Sequence, residues 1–282
     1  GNAKVYGKTE VSESAEVFGE AEIFGKAQIY NGAKVYKNAK IYDNVKVRGN
    51  ASVYDNAQVF GEAQVGGKAQ ISVNAQVYGN AKVYGNAEVF GKAQAFSNTG
   101  IYDEAKVYDN ALVFGKTEVC DKAQIYGYAQ VYENAQLFEN AQVYGEAQVF
   151  GNAQVYNKAK IYDKAEIFTD IEIGGETEVK GNEKLFNHSQ YIDNLAKVYG
   201  EAEVKDNAKV YGTTKAEDVF RTYGDTKLYE EHCSEIVDKL KLQDELPNFQ
   251  VISQKGVLYE KNSENNNITE IKNFVENLKG EE

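Results

Sequence analysis

Apolar positions in this chain recur every six residues, a step that fits neither a helical stripe nor plain strand alternation. The unit reads small–x–aliphatic–aromatic–Gly/Asp–Asn/Lys, as in Ala81-Lys82-Val83-Tyr84-Gly85-Asn86. It runs from Ala3 to Ser189 without insertion, gains one residue around Ile192–Leu195, and resumes at Ala196, Ala202 and Ala208. Of these 35 hexads, 27 carry Ala in the small slot and 33 carry Val, Ile or Leu in the aliphatic slot, with Ala95 and Tyr191 the exceptions. Inside a hexad the inward Ala and Val alternate with Lys/Gln/Glu and Tyr/Phe, which is strand periodicity. The Gly/Asp-Asn pair that follows suits a corner with left-handed backbone angles. A short strand and a tight corner repeated this way predict a solenoid in which each coil pairs with the next.

The spacing of an aliphatic residue and a small one four positions later, as in Val5 and Thr9, Val17 and Ala21, or Ile23 and Ala27, resembles the hexapeptide-repeat family. The resemblance spans residues 1 to about 211. It implies a left-handed parallel β-helix, an all-β solenoid of three hexads per coil and about twelve 18-residue coils. At ~4.8 Å per coil the stack is ~55 Å long. The aromatic after the aliphatic resembles a bacterial and phage-type branch of that family more than its acyltransferases.

Sorting the aromatic slot by face separates the three sides. The first face reads Tyr6, Phe24, Tyr42, Phe60, Tyr78, Phe96, Phe114, Tyr132, Phe150, Phe168 and Phe186 with no gap. The second is interrupted at Ser12, Arg48, Gly66, Cys120, Gly174 and Ile192, the third at Ser72 and Lys180. Two readings stand: stacked rings protect neighbouring strands, or an unbroken apolar strip is an interface. The family resemblance implies self-association, since its members are commonly trimers about a threefold axis.

The strict repeat ends near residue 211, dividing the chain into a β-helix over 1–215 and an acidic α/β C-terminal piece over 216–282. That piece holds 15 acidic and 8 basic residues. Leu228, Ile236, Val237 and Leu240 predict an amphipathic helix over about 226–242, and Ile268, Ile271, Val275 and Leu278 a second one. Between them, residues 249–253 and 256–260 predict a hairpin through Gln254-Lys255-Gly256. The piece is expected to cap the solenoid's open edge or to bind a partner.

The formal charge of −12 over 282 residues argues against binding duplex nucleic acid, and residues 1–215 carry only −5 (23 basic, 28 acidic), too little to mimic a phosphate backbone well. No apolar run is long enough to cross a bilayer, and no leader opens the chain, so the expected location is cytoplasmic, with no membrane partner. Cys120 and Cys233 lie far apart and form neither a disulfide framework nor a metal cluster. No phosphate-cradling or calcium-repeat motif occurs, and no cofactor or metal is expected.

Acyltransferases of the resembled family use a histidine base and an acyl-CoA donor, and His188 is the solenoid's one histidine. It stands near the register break with Glu183, Tyr191 and Asp193, either as a polar pocket or as a turn residue where the prism frays. His232 beside Cys233 makes no nucleophile–base pair, because adjacent helical residues point apart. The sequence therefore predicts a non-catalytic scaffold that docks a protein partner, or itself, through the first face's ladder or the acidic tail. The competing readings are an acyl-CoA-dependent acyltransferase and a phage-type inhibitor that sequesters a host protein or mimics nucleic acid.

Overall fold

The computed structural model describes residues 2–167 and 171–181 throughout, and beyond them the backbone of strand segments. The described strands from Lys4 to Leu228 form an all-β parallel solenoid. Strands of two residues, three at Ile171–Ile173 and Gln190–Ile192, assemble one per hexad into three parallel sheets of 13, 13 and 12 strands, each strand pairing with those one coil before and after. Gln58, for example, lies opposite Lys40 and Gln76. The 18-residue offset makes one coil from three hexads, one on each side of a prism.

The hexad explains this geometry residue by residue. The N–H groups of the x and aromatic positions donate along the prism axis to carbonyls of the next coil, as Lys82 does to Thr99 at 2.8 Å and Tyr84 to Ile101 at 2.9 Å. Each strand thus satisfies its polar backbone on its two neighbours. Every described corner from Gly7 to Gly181 carries one residue at positive φ, between 55° and 92°. Asp and Asn tolerate that conformation, and glycine suits it best. Gly85 shows the constraint: a Cβ there would lie 2.6 Å from the backbone nitrogen of Asp103 on the next coil.

Inward columns fill the prism. From Ala21 to Val179 every described small and aliphatic position is fully buried. Where Thr replaces Ala, its hydroxyl needs a partner. Thr99 donates to the Phe96 carbonyl at 2.8 Å and Thr117 to the Phe114 carbonyl at 2.6 Å. Thr177 is equally buried, and its hydroxyl has no partner.

The register break falls earlier than the sequence places it. Ile167 pairs with Leu185, an 18-residue step, but Glu172 pairs with Tyr191 and Ile173 with Ile192, a 19-residue step. The extra residue therefore enters between Leu185 and Gln190. Ile192 keeps the aliphatic register, and Tyr191 takes the x position. The apparent Tyr191 anomaly is an offset in reading, since a corner accommodates an added residue more easily than a paired strand does.

The six-residue step also runs on past residue 215. Lys215–Ala216, Arg221–Thr222 and Lys227–Leu228 each pair one coil back, the last with Lys209–Val210. The helix expected over about 226–242 thus starts on a strand. Phe249–Gln254 and Val257–Asn262 pair antiparallel around Lys255-Gly256, the position of the predicted hairpin. Ile268–Glu270 adds a third strand where the second helix was expected to begin. Its β-branched Ile268 and Thr269 favour that extended conformation. The rest of both predicted helices lies outside the described residues.

Candidate interaction face

On the first face the aromatic column becomes a continuous stack. From Tyr6 through Phe24, Tyr42, Phe60, Tyr78, Phe96, Phe114 and Tyr132 to Phe150, successive ring centroids lie 4.7–5.3 Å apart with planes within 5°. The spacing is that of the strands beneath, so the backbone sets the stack. The rings beyond Tyr6 are half-buried. Phe168 and Phe186, which continue the column in sequence, lie outside the described residues.

The other faces break their stacks and fill the gaps locally. On the third, Phe18, Tyr36 and Tyr54 stack, Ser72 interrupts, and Phe90 to Tyr162 resume. On the second face, tyrosines fold over glycines. A Cβ on Gly66 would meet the Tyr84 ring at 2.5 Å, and one on Gly174 the Tyr156 ring at 2.4 Å. Arg48 fills an aromatic slot by lying 5.4 Å from the centroid of Tyr84. Here the rings shield backbone and present no continuous strip.

The x column separates the faces further. On the first face it reads Lys4, Glu22, Lys40, Gln58, Gln76, Gln94, Leu112, Gln130, Gln148 and Glu166. Between Gln58 and Phe150 neither outward column of this face carries a charge. Over the same coils the second face has Lys82 and Glu118 and the third has Glu88 and Lys106. The uncharged columns are tied together, with the Tyr78 hydroxyl donating to Gln94 Oε1 and the Tyr132 hydroxyl to Gln148 Oε1, each at 3.3 Å.

The flanking corner adds apolar surface. Beyond the first coil, where Val5, Tyr6, Val11 and Phe18 are exposed, the exposed large apolar side chains among the described residues are Val73 and Tyr128, at 39% and 65%. Both sit on the corner that leads from the third face into the first. Val73 holds φ at 63°, a conformation that a β-branched residue adopts only under strain. Sequence reasoning found the ring ladder but missed the uncharged x column and this apolar corner. Sorting the x and corner slots by face, as the ring slot was sorted, exposes both.

Burial raises the hydroxyl pKa of Tyr42, Tyr78 and Tyr132 on the first face and of Tyr36, Tyr108 and Tyr126 on the third. Tyr144 reaches about 12, chiefly through burial and secondarily through Tyr126. Burial likewise pushes the Cys120 thiol up to about 11, so it stays a protonated thiol at neutral pH. Exposed carboxylates beside lysines go the other way: a hydrogen bond from Lys4 lowers Glu22, and one from Lys158 lowers Glu176.

Of the candidate polar pocket, Glu183, His188 and Asp193 lie outside the described residues, and Tyr191 is placed only by backbone register. Among the described residues no cluster of His, Cys, Asp and Glu is arranged to hold a metal ion, and no helix is long and apolar enough to cross a membrane. A shallow polar hollow lined by Glu88, Glu104, Lys106 and Lys122 lies at the corner of the second and third faces, away from the ladder.

Compared with known proteins, residues 75–89 match the family model of the YdcK beta solenoid repeat. The match covers about one coil and agrees with the parallel solenoid. No curated protein matches the chain.

Proposed function

We propose that the protein is a non-catalytic scaffold, a rigid β-solenoid rod that docks a protein surface through its first face. The observation that carries this reading is the coincidence, on one side, of an unbroken ring stack and an x column free of charge over Gln58–Gln148. Charged residues are depleted and aromatics enriched at the centres of protein interfaces. Flat stacking consumes the ring faces and leaves edges outward, which suits packing against side chains better than stacking on a flat ligand.

The test is a photo-reactive residue placed in cells at Gln76 on the first face, Gln136 on the second and Gln124 on the third. A discrete adduct from position 76 alone is the expected outcome. Equal adducts from all three positions, or none from 76, would contradict the reading.

A further inference from the structure

Resting on that reading, we propose that the first face's partner is a second copy of this chain, lying antiparallel and face to face. The x column is its own charge complement when reversed. It reads positive, negative, positive at Lys4, Glu22 and Lys40, then six uncharged positions, then negative at Glu166. Backbone register continues it with Lys184 and Glu203. A twofold axis parallel to the strands, passing between Gln94 and Leu112, reverses the rod and keeps each column facing its own kind. It sets Lys40 against Glu166 of the second copy, Gln58 against Gln148, Gln76 against Gln130 and Gln94 against Leu112.

A second observation falls on the same axis. The corner before Gln76 holds Val73 and the corner before Gln130 holds Tyr128. The axis that pairs the charges brings these two exposed apolar corners opposite each other, once on each side of the centre. Val73 is the one β-branched residue among the described positive-φ corners, and the strain retained there is then the cost of an apolar contact. The area is sufficient as well. Twelve coils at ~4.8 Å on a face ~16 Å wide give ~920 Å² per copy, against ~800 Å² per partner in a stable interface of standard size.

The test is charge exchange read by light scattering across a dilution series. The wild-type chain is expected at twice 31.3 kDa. Lys40→Glu and Glu166→Lys should each weaken the dimer by about tenfold. Mixing the two variants should restore it, because the mixed pair opposes unlike charges at both ends. Positions 40 and 166 lie seven coils apart, so no contact within one chain imitates that recovery. Leu112→Glu should abolish the dimer and leave the monomer's melting intact, since Glu fills the same slot at Glu22, Glu88 and Glu118. A wild-type mass of one or three chains, or variants that mixing does not restore, overturns the second copy. If the wild type is monomeric while position 76 still cross-links to a foreign chain, the dimer alone has failed. If position 76 gives no adduct, the docking reading has failed with it.

Discussion

Thr177 and Thr99 occupy the same slot of the hexad and are both fully buried, yet they differ by one hydrogen bond. A buried hydroxyl without a partner costs about 1–3 kcal/mol, whereas a satisfied one contributes about 0.5–1.5 kcal/mol. Val is the matched replacement, since it keeps the branched shape and already fills this slot at Val45. Thr177→Val should therefore raise stability by about 1 kcal/mol and Thr99→Val lower it by about as much. Thermal unfolding of the two variants beside the wild type checks the opposite signs. At this scale much was legible in advance, because Ala, Val and Gly each fit one slot of the hexad. The strain at Val73 was not, since only the corner's φ shows that a β-branched residue stands in a left-handed conformation.

Strands of two residues have no independent stability; what holds each is the coil on either side and the ring stacked above it. Each stacked pair adds about 0.2–1 kcal/mol. The same packing raises the tyrosine pKa values through burial, which makes the ladders sensitive to base. A hydroxyl whose folded pKa lies above its unfolded value near 10 contributes stability that is fully present below pH 10. That contribution is lost as pH rises through the folded value, about 12 for Tyr144. The rod should accordingly lose stability between about pH 10 and 12, with tyrosinate absorbance and circular dichroism changing together. Full tyrosine ionisation with no loss of strand signal would contradict the burial of these rings.

The element step was legible because one residue type filled each slot so consistently. It faded where slots became mixed: Thr222 and Leu228 hold aliphatic positions on strands that the weakened pattern did not reveal. Tyr223, Gly224 and Tyr229 keep the ring and corner spacing there and were the surviving signal. The register break was misplaced by a few residues for a related reason, as sequence shows an added residue but only pairing shows which corner absorbs it.

Across the whole molecule, three chemically similar sides become unequal through the distribution of a few residues. The second face spends its rings on covering glycines, the third is interrupted at Ser72, and the first is continuous and uncharged through its middle. Ring order alone pointed to that face. Its antiparallel charge complement emerges only when the x column is read along the axis of coils, with the register known. The His188 reading concerns residues outside those described, and His188→Ala with acyl-CoA turnover as the readout tests it separately.

Small-angle scattering from the wild-type rod beside Leu112→Glu tests the central claim most directly, because a side-by-side pair and a single rod differ in cross-section rather than length. The account predicts a wild-type cross-section of two abutting prisms with a maximum dimension close to that of the variant, and a single-prism cross-section for Leu112→Glu. Identical cross-sections for the two proteins, or a wild-type particle that lengthens instead of thickening, would contradict it.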